Sequence, residues 1–241
     1  MRPKLVTAVL ISLLSSPVLS QKIPDALVAD PDVHRLRLEN EHVRVFEARA
    51  TRGASSPMHS HPPFVFISLG TGRVKLTMPD SKAAVLDLYP GQVLWAGDGM
   101  QHSWKLLSGE VNVIAVEIKS ALNQQAKPQP VTRKANDSVT VDPETHHVLF
   151  DNEHVRVFDG KATKGARSPM HSHPPTLLVV LGKGRGKITM PDGKSVLHDY
   201  TPGDVMWAGD GMEHSWEMLS GEPHVIAIEV KAAHKPTTAT R

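Results

Sequence analysis

Histidines at short, repeated spacing are the residues of this chain best suited to chemistry. His59 and His61 are separated by one residue, and His102 follows the turn Gly97-Asp98-Gly99. His171, His173 and His214 repeat the arrangement. On an extended strand, side chains two residues apart share a face, so a neighbouring strand carrying the third histidine completes a cluster. Neutral imidazoles suit divalent Fe, Zn, Ni or Cu, and Mn also belongs among the candidates. Three neutral ligands leave a metal its full charge and open positions. Such a centre polarises a bound oxygen, lowers the pKa of water, or holds a chelating molecule beside O₂. The chain has no Cys, so neither thiolate ligands nor disulfides enter the argument.

The histidines recur because the chain is duplicated. Shifted by 112 residues it matches itself without a gap, and 51 of the 80 positions from 40 to 119 are identical to 152–231. The register extends back to Asp30-Pro31 and Asp142-Pro143. A period of this length makes each copy a domain, expected at 21–119 and 140–232. Between them, 120–139 is polar and Pro-rich and reads as a linker. Residues 233–241 read as a polar tail.

Within each copy the elements that position the histidines are short strands. Val43 to Ala48 and Arg73 to Met78 alternate, while Val65 to Leu69 and Val111 to Ile118 are apolar runs of β-forming residues. Turn signals at Gly70-Thr71-Gly72, Pro79-Asp80 and Pro90-Gly91 separate them. Seven to nine strands per copy, with no long amphipathic helix, predict an all-β sandwich or barrel.

Residues 1–20 read as a secretory signal: Arg2 and Lys4, then an apolar stretch from Leu5 to Leu14, with cleavage expected after Ser20. The alternative is an uncleaved anchor. Without this segment the basic and acidic residues balance, since Arg2 and Lys4 account for the formal charge of +2. No basic patch remains to bind nucleic acid. The expected location is secreted or periplasmic, with no membrane association after cleavage.

The spacing resembles the cupin superfamily. The first cupin signature, G-x5-H-x-H with a later Glu and Gly, corresponds to Gly53, His59, His61 and Gly72. The second, G-x5-P-x-G-x2-H-x3-N, corresponds to Gly91, Gly99 and His102. The second copy matches at Gly165, His171, His173, Gly184, Gly203, Gly211 and His214. The resemblance implies two tandem double-stranded β-helix (jelly-roll) barrels, up to one metal per barrel, a small-molecule ligand or substrate, and pairing of chains as a homodimer. There are departures. The Glu ligand would fall at Val65 and Leu177, the signature Pro at Gly97 and Gly209, and the final Asn at Leu106 and Met218. The implied centre is therefore three-histidine, similar to cupins that include iron dioxygenases. The alternatives are a non-catalytic metal- or ligand-binding module and a Zn or Ni isomerase or lyase.

Other residues are placed by parity. Val65, Ile67, Leu177 and Val179 are expected to line the barrel interior, making the pocket apolar. Trp104 and Trp216 share parity with His102 and His214, and either wall the pocket or join the core. Arg44 and Arg156, Glu117 and Glu229, and the pairs His34/His146 and His42/His154 are expected at solvated positions. Asp98 and Asp210 read as turn residues. Tyr89 and Tyr200 occupy non-equivalent repeat positions, so the copies share no tyrosine acid.

Overall fold

A computed structural model describes residues 22–122 and 134–231. The expected signal at 1–20, the middle of the expected linker and the whole of the expected tail at 233–241 lie outside the described residues. Each copy contributes nine strands. In the first they are β1 (His34–Glu39), β2 (Val43–Ala50), β3 (Ser55–His61), β4 (Phe64–Ser68), β5 (Gly72–Thr77), β6 (Ala83–Leu88), β7 (Val93–Ala96), β8 (Met100–Gly109) and β9 (Val111–Ile118). In the second they are β10 (His147–Asp151), β11 (Val155–Lys161), β12 (Arg167–His173), β13 (Thr176–Val180), β14 (Gly184–Thr189), β15 (Ser195–Tyr200), β16 (Val205–Gly209), β17 (Met212–Gly221) and β18 (His224–Val230). Two one-turn helices, α1 (Ala26–Ala29) and α2 (Ser138–Val141), precede the copies. Among the described residues no helix is long and apolar enough to cross a membrane.

Each copy folds as two facing antiparallel sheets. The first has order β1-β2-β9-β4-β7 against β3-β8-β5-β6, and the second repeats it as β10-β11-β18-β13-β16 against β12-β17-β14-β15. The interior between the sheets receives Phe46, Phe64, Phe66 and Ala115 in the first copy. The other face of the five-stranded sheet is equally apolar. Val43, Val45, Val65, Ile67, Ile114 and Val116 form one cluster with Val155, Val157, Leu177, Val179, Ile226 and Ile228 of the second copy. The two five-stranded sheets thus bury each other's outer faces, and the chain has a shared core between its barrels.

This corrects the expectation for Val65 and Leu177, and with them Ile67 and Val179. They are fully buried, but against the other copy rather than in the barrel cavity. Phe64 and Phe66, and Thr176 and Leu178, take the interior positions. A strand apolar on both faces gives no parity signal for which face is inner.

The linker expectation is also corrected at its C-terminal end. Residues 134–139 hold Asp137, whose backbone bridges to Ser172 as that of Asp25 bridges to Ser60. They form the arm that opens the second copy, equivalent to the arm before β1. The repeat register therefore runs back to Lys22 and Lys134.

Truncating a side chain in the shared core removes contacts from both barrels. Leu177→Ala is expected to destabilise by about 2–5 kcal/mol, read as a lowered denaturation midpoint of the whole chain in a single transition. Two transitions, with only one displaced, would show that the barrels unfold independently.

Candidate metal centre

The strand pairing β3·β8 sets His59 directly opposite His102, and β12·β17 sets His171 opposite His214. Between Ser56 and His59 the register slips by one residue, a bulge at Pro57-Met58. Proline lacks an N–H for the ladder, so it is tolerated there. The bulge brings the Pro57 carbonyl onto the His59 ring, where it accepts from Nδ1 at 2.7 Å. Pro169 does the same for His171 at 2.8 Å. A carbonyl only accepts, so Nδ1 carries the proton and the Nε2 lone pair faces inward. His61 and His173 follow two residues on, on the same face. Gly99 closes the turn before His102 at φ +74°, and a Cβ there would sit 2.5 Å from the His61 carbonyl oxygen. Only glycine fits this approach.

The rings converge. In the first barrel the ligand atoms of His59, His61 and His102 lie within 4.8 Å of one another. In the second, His214 Nε2 lies 3.0 Å from His171 Nε2, and the ring of His214 is centred 5.3 Å from that of His173. Ligands at right angles on a metal, each at about 2.1 Å, stand about 3.0 Å apart. His59 Nε2 is buried without a hydrogen-bond partner. Burial pushes the His59 and His171 pKa down to about 4, and those of His102 and His214 to about 3, with neighbouring imidazoles adding to the effect. Neutral, inward-facing imidazoles with a bare nitrogen fit a divalent cation.

Several residues expected in solvent complete the site. Glu117 and Glu229 are buried, with 2% and 1% of their surface exposed. Glu229 accepts from His173 Nδ1 at 2.9 Å, and Glu117 stands 3.5 Å from His61 Nδ1. The Glu229–His173 bond is the arrangement by which a carboxylate orients a ligating histidine; in the first barrel the two groups face each other without a hydrogen bond. Each glutamate is held by an arginine at 2.5 Å, Arg44 to Glu117 and Arg156 to Glu229. The arginines in turn reach the arms: Arg156 donates to Asp137 at 2.9 and 2.7 Å, and Arg44 to Asp25. Burial opposes the arginine charge, but these carboxylates more than offset it and raise the guanidinium pKa. His34 and His146 are buried beside the clusters rather than exposed. His42 and His154 lie between the copies: His42 stacks on Trp207 with ring centres 5.2 Å apart and reaches Asp210 at 3.3 Å, and His154 lies over Trp95. The signal for Glu117 and Arg44 was their direct cross-strand pairing on β2 and β9, which repeat spacing alone does not reveal.

The two cavities differ. That of the first barrel is about 290 Å³ and that of the second about 90 Å³. Trp104 and Trp216 wall them. Tyr200 and Met218 stand where the first barrel has Leu88 and Leu106. Met218 lies so close to Gly186 that a Cβ there would come within 2.7 Å of its methyl.

Among solved structures, the chain resembles a cupin 2 conserved barrel protein from Leptotrichia buccalis (TM-score 0.49, 15% identity, 83% of this chain and 88% of that one). It resembles AerE from Microcystis aeruginosa (TM-score 0.53, 14% identity, 83% and 98%). It also resembles an oxalate decarboxylase from Bacillus subtilis (TM-score 0.54, 16% identity, 86% and 77%). The fold is a bicupin. At these identities the likeness carries architecture alone. No family model and no curated protein matches the chain.

Two outcomes follow for the bicupin. Arg156→Leu leaves Glu229 buried without its arginine and should cost about 3–5 kcal/mol. Arg44→Leu should cost less, because the Arg44 side chain is 23% exposed against 4% for Arg156 and water can replace it. Equal losses in chemical denaturation would refute the role assigned to burial. Secondly, His59, His102, His171 and His214 have pKa values lowered from 6.5 by folding. On acidification the unfolded chain therefore takes up protons first. The metal-free fold should keep its full stability above pH 6.5 and lose it progressively as pH falls toward about 4 and then 3. Denaturation midpoints across this range should fall less steeply in a His59→Gln/His171→Gln variant.

Proposed function

We propose that this is an exported, metal-dependent bicupin oxidoreductase, with the first barrel as the site of turnover. His59, His61 and His102, and His171, His173 and His214, hold one divalent metal per barrel. The observation that carries the reading is the convergence of neutral, inward-facing imidazoles at the wall of an apolar cavity of about 290 Å³. The Bacillus subtilis oxalate decarboxylase contains Mn(II) centres in a similar fold, which supports a redox-active divalent ion. The metal, when bound, supplies a Lewis acid with open positions for a chelating substrate and O₂.

The chain's residues set what enters. Among the described residues no Lys or Arg lines the first cavity, so a small dianion finds no cation among them. Phe46, Phe64, Phe66 and Trp104 instead offer aromatic and apolar contact. This favours a largely apolar or aromatic molecule with one polar, metal-binding end. Pro57 holds the His59 ring in one orientation while substrate exchanges, and Glu117 faces His61 at 3.5 Å. In the second barrel, Tyr200 and Met218 take up the corresponding space, which favours a structural or binding role for its metal.

Elemental analysis of the purified protein should find about two metals per chain, falling by half in each of His59→Ala and His171→Ala. An oxygen-electrode screen of small aromatic acids and diketones should find uptake that His59→Ala abolishes and His171→Ala largely spares. Leu88→Tyr, which copies the second barrel's filling into the first, should lower kcat/KM at least about tenfold while metal content is unchanged. Metal unaffected by the histidine variants would remove the site. Metal present without turnover would leave a binding module.

A further inference from the structure

We infer that each centre has a fourth histidine ligand, His34 in the first barrel and His146 in the second, supplied where the arm meets the first strand of the barrel. The inference rests on the metal-centre reading above and specifies its ligand set. In the second barrel the ligand atoms of His146, His171 and His173 all lie within 4.8 Å of one another. The ring of His146 is centred 5.0 Å from His171 and 5.8 Å from His173. His34 stands 5.0 Å from His59 and 6.4 Å from His61. Both are buried, at 4% and 6% exposure, and burial lowers the pKa of each.

The orientation of these rings is fixed in the same way as that of the other inward-facing histidines. His34 Nδ1 donates to the Asp30 carbonyl at 3.2 Å, and His146 Nδ1 to the Asp142 carbonyl at 2.9 Å. This leaves Nε2 as the unprotonated nitrogen, as in His59. The carbonyls belong to the C-caps of α1 and α2, so each one-turn helix serves to aim a ring. The arms have otherwise drifted. Between 22–39 and 134–151 only five of 18 positions are identical: Lys22, Asp25, Asp30, Pro31 and His34 with their counterparts. Those five include the histidine, the residue whose carbonyl anchors it, and the aspartate that holds the arginine behind Glu117.

The fourth ligand also accounts for the missing carboxylate. The inner face of β4 offers Phe64 and Phe66, and that of β13 offers Thr176 and Leu178, none of them an anionic ligand. A histidine from the opposite edge of the sheet completes four neutral ligands. Four neutral ligands would leave the ion its whole double charge, so it would favour anionic co-ligands more than a centre with a bound carboxylate does.

Cu(II) is the probe. The unmutated protein is loaded with Cu(II), and the nitrogens bound to it are counted by pulsed electron paramagnetic resonance. Four imidazoles per ion support the inference; three overturn it and leave the three-histidine centre standing. His34→Gln/His146→Gln should keep the Cu(II) stoichiometry, lose one imidazole signal, and bind more weakly by more than the roughly 10–100-fold cost of losing a ligand's supporting partner. An unchanged spectrum and affinity in this variant would overturn the fourth ligand alone. Failure of the unmutated protein to bind Cu(II), or unchanged binding in His59→Ala/His171→Ala, would overturn both the fourth ligand and the centre beneath it.

Discussion

The five-stranded sheet of each copy must be apolar on both faces, and most of the structure follows from that constraint. One face closes its own barrel; the other lies against the sheet of the second copy. A parallel sheet between helix layers meets the same demand with continuous Val, Ile and Leu, and β9 and β18 read in the same way. Each carries a polar residue near its start, Asn112 or His224, and a buried glutamate near its C-terminal end. In an apolar interior a carboxylate needs a cation and hydrogen bonds. Arg44 and Arg156, paired directly across the strand, provide both. From that pair outward the site is organised: the glutamate steadies a histidine, and the arginine ties down an arm.

The bulge at Pro57-Met58 has the complementary role on the opposite sheet. Without it, residues 56 and 59 would not both meet their partners on β8 at the observed register. It supplies a carbonyl where His59 needs one, and so fixes the tautomer. The centre is thus supported from two sheets and an arm, each holding a ring through its Nδ1. Imidazoles held in this way lose little freedom when a metal arrives, which lowers the cost of binding.

Much of this was legible in the sequence. The histidine spacing, the turn at Gly97-Asp98-Gly99 and the repeat specified the all-β class and brought His59, His61 and His102 together. What failed was parity. Two prolines, Pro62 and Pro63, separate β3 from β4, so the alternation that sets His61 inward does not carry across to Val65, which faces the other copy. Glu117 and Arg44 were read as solvated because charged residues on a strand usually are. Their burial depends on a partner 73 residues away, a distance no local pattern spans. His34 was missed for a related reason: its relation to the cluster arises from the arm folding back over β3.

The shared core also bears on how the two halves came to differ. Two separate single-barrel chains joined through this face would form a symmetric pair, in which any substitution in one cavity appears in the other. Joining the copies in one polypeptide lifts that restriction while preserving the packing between the sheets. Leu88 and Tyr200 are the visible result: one half keeps room for a guest, and its twin, under no obligation to match, is narrowed by its own side chains.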